Sequence, residues 1–352
     1  MLPPVLVRRV VLAPLAVLLT LAVVTSLPLL LLAAAALSPI LPGRWRPLRV
    51  LWLAVLHLVL ETLILGALAV TWVASGFGWR IRSPYFQRRH YALVRWYLQV
   101  LYDEVRRVLR VEVQVEGPPP SDYVGRPLVV LSRHAGPGDS FLLVHALVNW
   151  YEREPRIVLK DTLQWDPAID VLLNRLPNQF IRPGGDGAEA KIGELCRDLD
   201  DNDAFVIFPE GGNVTELRRK RAIDRLRRQG HIDDAEKAER LRYVMAPKPG
   251  GVLAALDACG DADVVMVAHT GVEHMSSVLD VWRELPMDRR IAMRWWLVDA
   301  DKIPVGRDAR IAWLFEWWRR IDDWIESQQS EVLETPARRR WRARLAAARS
   351  HR

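Results

Sequence analysis

The chain has 352 residues, enough for one large domain or two small ones with a full core. Two cysteines, Cys196 and Cys259, form no Cys-x-x-Cys or Cys/His cluster, so reduced structural thiols on a cytoplasmic domain are expected, with no metal site and no cofactor. The formal net charge of +7 suits an anionic partner: nucleic acid, an anionic membrane or a phosphorylated substrate.

A mean hydropathy of +0.01 is high for a chain that is 26% charged, because an apolar N-terminal fifth is averaged with a charged remainder. Residues 10–37 and 48–73 are almost wholly apolar. Each is long enough for a span, since roughly 20 apolar residues cross a bilayer core. The first run is too long for the apolar part of a signal peptide. Pro14, Pro28 and Pro39 interrupt it, and His57 and Glu61 lie inside the second at a cost in lipid. A two-span hairpin and a hairpin dipping into one leaflet both fit; a buried soluble hairpin is the plain alternative. Arg8 and Arg9 precede the first run, Arg44, Arg46 and Arg49 lie between the two, and Arg80, Arg82, Arg88 and Arg89 follow. Counting positive charge puts both ends in the cytoplasm. Arginines outnumber lysines 43 to six, a bias expected of a GC-rich bacterial genome. The expected location is a bacterial inner membrane, with the rest of the chain facing the cytoplasm.

Residues 79–110 mix Trp79, Tyr85, Phe86, Tyr91, Trp96, Tyr97 and Tyr102 with arginines. That pattern fits a helix at headgroup level and, equally, an amphipathic core helix. Val111–Val115 alternates and reads as a half-exposed strand, and Gly117-Pro-Pro-Pro120 as a loop. Beyond it strands are expected at 127–132, 156–160, 179–182, 204–208, 264–269 and 292–298. Helices are expected at 140–151, 167–175, 187–200, 214–229, 234–243 and 249–259. Alternation of this kind predicts an α/β fold with a mostly parallel mixed sheet flanked by helices. The expected segments are a membrane hairpin at 1–78, an interfacial helix and connecting strand at 79–116, the α/β domain at 117–330 and a basic tail at 331–352.

Four turns carry the chemistry. His134 and Asp139 stand on the turn after the first strand of this region, separated by Ala135-Gly-Pro-Gly138, with Ser140 or Asp139 as the cap of the next helix. Open α/β sheets hold ligands at such strand ends. An aspartate against one imidazole nitrogen leaves the other free as a base. Alone, the pair reads as a loop histidine and a capping aspartate. Arg182 ends another strand, followed by Pro183-Gly-Gly185. Glu210 and Gly211 follow the buried run Ala204–Phe208, and Lys248 lies in a turn before Pro249-Gly-Gly251. A basic helix follows Thr215, and the tail from 337 carries arginines without acids. Anionic lipid is a more economical partner for these runs than nucleic acid, which is not expected, and a solvated helix face and a disordered tail are the plain alternative, preferred for the tail. Residues 308–328 read as a helix with Ile311, Leu314, Phe315, Trp318, Ile321 and Ile325 on one face and Trp313 and Trp317 on a second, a stripe that fits core packing, with membrane docking as the alternative.

Taken in order, the four turns resemble the four blocks of the glycerolipid acyltransferase superfamily: His134 to Asp139, Phe180-Ile-Arg182, Phe208-Pro-Glu-Gly211, and Pro247-Lys248 with Gly251. Thr215-Glu216 and Asp301-Lys-Ile-Pro304 are similar to features of its 1-acylglycerol-3-phosphate and lysocardiolipin acyltransferase branch. Arg133 stands where the family usually has Asn, and Gly212 where it usually has Thr. The resemblance implies a glycerol-3-phosphate acyltransferase-like fold. It also implies a membrane-bound lysophospholipid acyltransferase that moves a fatty acyl group from acyl-CoA, or acyl carrier protein, to a lysophosphatidic acid-like acceptor. His134 is then the general base with Asp139, without a covalent intermediate, while Arg182, Glu210, Gly211 and Lys248 bind substrate. The lysophospholipid, the acyl thioester and an anionic membrane surface are the implied partners. A catalytically silent lipid-binding protein of the same fold is the alternative. No Gly-x-Ser-x-Gly occurs, which argues against a serine hydrolase.

Overall fold

Seven apolar runs become the strands of one sheet: β1 (Glu112–Glu116), β2 (Leu128–Ser132), β3 (Glu154–Lys160), β4 (Gln179–Ile181), β5 (Asp203–Ile207), β6 (Asp263–Thr270) and β7 (Arg290–Val298). The computed structural model describes residues 2–41, 45–182, 187–271 and 287–332, together with Glu273, Trp282 and Leu285. Arg44, the Pro183-Gly-Gly185 turn and the tail from 333 lie outside the described residues. The strand order is β1-β7-β6-β2-β5-β3-β4. All neighbours pair in parallel except β6 with β7. The sheet is therefore mixed and mostly parallel, as expected.

The helices are α1 (Val5–Thr25), α2 (Leu27–Leu37), α3 (Arg46–Ala74), α4 (Pro84–Leu109), α5 (Pro137–His145), α6 (Pro167–Leu173), α7 (Ala188–Cys196), α8 (Glu216–Arg228), α9 (Ile232–Arg240), α10 (Pro249–Ala258) and α11 (Arg307–Val332). β2, β5 and β6 are buried at every position, as strands covered on both faces must be. One face, with Leu128, Val130, Val206 and Val267, packs on α4 and α5. The other, with Val129, Leu131, Phe205 and Met266, packs on α7, α10 and α11. Leu314, Trp318, Ile321 and Ile325 of α11 are buried there, so its aromatic stripe is core. Cys196 is buried in the same layer, and neither cysteine is in a disulfide.

The strand at 111–115, expected as a connector, is the edge strand β1 of this sheet, in register with β7 from Glu112 opposite Arg290. Val108 and Leu109 of α4 enter the same core, so α4 is a packed amphipathic helix and not a free interfacial one. The sequence shows β1's alternation but not its pairing partner, nearly 180 residues away.

α1 and α3 are long and apolar enough to cross a membrane. α3 is nevertheless held by the α/β layer along its length. Arg49 Nη1 donates to Val108 O, Trp52 Nε1 to Glu104 Oε2 at 2.8 Å, and Arg175 Nη1 to Leu68 O at 2.9 Å. From residue 49 to residue 68 a helix rises about 29 Å, nearly the thickness of a hydrocarbon core. Ile64 and Leu68 pack with Tyr91, Val94, Leu98 and Leu172. α1 packs along α3, where the Thr20 hydroxyl donates to Leu58 O at 3.1 Å. α1 is also pinned to α6. Asp170, fully buried, receives Arg8 Nη2 and Arg9 Nε, each at 3.1 Å, and Arg8 is only 4% exposed. Asp170→Ala would leave the Arg8 guanidinium buried without its carboxylate. The expected cost is about 3–5 kcal/mol, with faster hydrogen exchange across residues 5–25 than in the wild type; unchanged exchange there would show that the pair does not hold α1.

Candidate active site

β2 occupies the middle of the sheet between β5 and β6, and its carboxyl end delivers Arg133 and His134 into a turn. α5 starts at Pro137 with Gly136 as its cap, three residues earlier than the sequence reading placed it. Asp139 is therefore inside the first turn. Its Oδ2 reaches back to accept the N–H of Ala135 at 2.5 Å and of Gly136 at 2.9 Å. Its Oδ1 lies 3.1 Å from His134 Nδ1 and accepts Ser140 Oγ at 3.1 Å. One carboxylate thus both caps the helix and pairs the imidazole. Among the described residues nothing hydrogen-bonds His134 Nε2, and the Phe208 ring packs on the imidazole with centroids 4.6 Å apart.

A second imidazole closes on the same carboxylate. His269 Nε2 lies 3.4 Å from Asp139 Oδ2 and 3.1 Å from Arg133 O. Burial pushes this imidazole below its usual range. Burial alone would raise the Asp139 carboxyl, but the His134 hydrogen bond, the nearby His269 and the Gly136 N–H outweigh it and hold the group at about 2. A carboxyl depressed from 3.8 contributes about 2 kcal/mol above that pH, lost as pH falls toward 2.

Glu210 sits on the turn after β5, 2% exposed. Its Oε1 accepts the His134 N–H at 3.2 Å and its Oε2 the Met245 N–H at 3.3 Å. Burial dominates its environment and lifts the carboxyl to about 8, against the pull of Arg133 and the two N–H groups. Gly211 has φ +68°, and a Cβ there would fall 2.5 Å from Lys248 Nζ, so glycine lets the lysine lie across the turn. Burial lowers the Lys248 ammonium, with Arg225, Arg218 and Lys160 acting in the same direction. Its own N–H donates to Pro209 O at 2.8 Å, tying the fourth block to the third. His134, Asp139, Glu210, Gly211 and Lys248 are thus brought together. Arg182 is not: it ends the edge strand β4, 75% exposed, paired with Asp161 at 3.4 Å. Three strand spacings separate β4 from β2, about 14 Å.

Sequence reasoning missed the roles of His269, Glu273 and Lys160. His269 and Lys160 each end a strand, β6 and β3, at the same end of the sheet as His134, and that rule would have found them. Arg133 was noticed only as a departure. It is 2% exposed and turned away from the imidazole, donating to Tyr243 O at 3.0 Å, to His269 O, and to Glu273 Oε1 at 2.6 Å. Gly212 has φ +152°, a region that excludes the usual Thr.

Residues 110–270 match the family model described as Acyltransferase. The matched segment contains all four blocks and supports their resemblance to the glycerolipid acyltransferase superfamily. Comparison with curated protein sequences gives no match. Among solved structures the chain is similar to the 1-acyl-sn-glycerophosphate (LPA) acyltransferase, PlsC, of Thermotoga maritima, with 15% identity over 77% of this chain and 95% of that one and a TM-score of 0.44.

The raised Glu210 carboxyl sets a pH dependence. Above about 4.5 the unfolded chain ionises this group while the folded chain keeps it protonated up to about 8. Stability is therefore lost as pH rises between those values. Glu210→Gln lacks this loss, so the excess Tm of wild type over Glu210→Gln should shrink from pH 5 to pH 8 in detergent. A pH-independent difference would show that Glu210 is ionised throughout.

Proposed function

We propose that this chain is a membrane-bound lysophospholipid acyltransferase of the 1-acylglycerol-3-phosphate O-acyltransferase type, with an acyl thioester, acyl-CoA by preference, as donor. The observation that carries this reading is His134 Nδ1 against the Asp139 carboxylate at the end of β2, with Nε2 unengaged. In the proposed reaction Nε2 takes the proton of the acceptor hydroxyl as its oxygen attacks the thioester carbonyl. The tetrahedral adduct collapses, the C–S bond breaks, and the imidazolium returns its proton to the departing thiolate. Asp139 stabilises the imidazolium and fixes the tautomer. The N–H groups of Ala135 and Gly136 are committed to Asp139, so the oxyanion donors must come from the first turn of α5, whose N–H groups lie outside the helix's own ladder.

Lys248, with Lys160, Arg218 and Arg225 close enough to act on it, supports an anionic group beside the Gly211 turn. Arg182 takes the acceptor phosphate from the outer side. Arg133 and Gly212 are accounted for by packing and backbone, and neither obstructs the imidazole. That favours an active enzyme over the silent lipid-binding alternative.

The apolar hairpin seats this site at the bilayer surface. Because α3 is bonded to the α/β layer over about 29 Å, we place α1 to α3 in one leaflet on the cytoplasmic side. Leu6, Val10, Leu18, Leu29 and Leu32, each more than 60% exposed, face the lipid.

Two experiments test these points. With a labelled acyl-CoA and a panel of lysolipid acceptors, His134→Ala and Asp139→Ala should each lower kcat by about 10²–10⁴-fold, while Arg182→Ala should raise the acceptor KM. Activity indifferent to His134→Ala would favour the silent protein, and an unchanged KM would remove the Arg182 role. With Cys196 and Cys259 replaced by Ala, Ile40→Cys should resist an impermeant thiol reagent applied from the outer side of the membrane. Labelling from that side would mean a two-span hairpin.

A further inference from the structure

The junction between α3 and the α/β domain holds polar groups that the proposed reaction does not use. His57 and Glu61 lie one turn apart on one face of α3. Asp166, the cap of α6, faces them and accepts the Ile169 N–H at 2.9 Å. One ligand atom from each of the three lies within 4.8 Å of the other two. His57 Nε2 is 3.8 Å from Glu61 Oε2.

Ordinary packing explains two members of this group. Asp166 caps a helix, and His57 is half exposed at the edge of an apolar helix. It does not explain Glu61. Its side chain is 9% exposed, and Oε1 accepts no hydrogen bond. Its polar neighbours include the Asp166 carboxylate, the Ala168 N–H and the Tyr97 hydroxyl. The nearest arginines on α1, Arg8 and Arg9, are already engaged by Asp170. A buried carboxylate beside a second carboxylate costs several kcal/mol unless a proton or a cation neutralises it, and burial together with Asp166 raises the Glu61 carboxyl to about 7.

We propose that His57, Glu61 and Asp166 form a binding site for one divalent transition-metal ion of the Zn²⁺ type. An imidazole nitrogen with two carboxylate oxygens suits Zn²⁺ better than Mg²⁺ or Ca²⁺, which take oxygen ligands. Ligands on opposite sides of such an ion are at most about 4.2 Å apart, so the three atoms, within 4.8 Å of one another, have to draw together on binding it. Three protein ligands leave a position for water. The ion joins the middle of α3 to the start of α6, and so fastens the apolar hairpin to the catalytic domain. This revises the expectation of no metal site. That expectation came from cysteine and histidine spacing, and Asp166 is far from His57 and Glu61 in sequence.

The test uses the full, untagged chain in detergent micelles, stripped with EDTA and exposed to ZnCl₂ or MgCl₂. Metal analysis after gel filtration should find one zinc per chain, with a raised Tm, and no such shift with magnesium. The double variant His57→Ala/Glu61→Gln should lose both the zinc and the shift. Asp166→Asn keeps the cap and should bind zinc about tenfold more weakly, with a metal-free Tm like that of the wild type. Failure of the wild type to retain zinc would overturn the proposal. Zinc retained undiminished in Asp166→Asn, or in the double variant, would place the metal elsewhere and overturn it equally.

Discussion

Everything at the centre of this protein depends on keeping one buried negative charge satisfied. The Asp139 carboxylate has no solvent exposure, so every lone pair must find a donor within the fold. Two backbone N–H groups, one hydroxyl and two imidazoles surround it. The bonds that start α5 are the same bonds that hold His134 Nδ1. Helix capping and alignment of the imidazole are one arrangement, not two.

Around that arrangement the neighbouring turns are fastened by further buried groups. Glu210 ties the turn after β5 to the backbone of His134 and Met245. Arg133 ties the end of β2 to the end of β6 and to the segment before α10. Lys248 closes over Gly211, and its N–H binds Pro209. The turns after β2 and β5, the end of β6 and the segment before α10 are thus locked to each other by hydrogen bonds to Glu210 and Arg133, each 2% exposed. A loop histidine becomes a positioned one because its support comes from both adjacent strands.

The apolar hairpin obeys a different constraint. Its inner helix buries Leu60, Ile64 and Leu68 against α4 and α6, while α1 and α2 leave most of their leucines outside. Polar contacts set the orientation: Asp170 holds the arginines of α1, and Arg175 holds the end of α3. The hairpin is thereby part of the domain's packing and offers its apolar surface on one side only.

The strands, the helices and the order of the four turns were legible in the sequence because local rules govern them. Continuous β-branched runs mark strands buried on both faces, and Gly and Pro mark the turns at their ends. His134 and Glu210 were legible for the same reason, as polar residues on turns after strands, and Asp139 and Lys248 as charged residues at helix starts. Partners set by non-local pairing were not legible. β1 joins β7, His269 joins Asp139, and Asp166 joins Glu61 across long stretches of chain, and no periodicity encodes such meetings. The depth at which a charge is buried was also hidden. Arg133 was read only as a departure from the family pattern and is 2% exposed, whereas Arg182, read as a substrate-binding residue, stands 75% exposed on the edge strand. The residue types and their spacing determined by themselves which chemistry was available. Only the packing of distant strands decided which of those groups share one desolvated site, because burial and contact depend on the whole sheet.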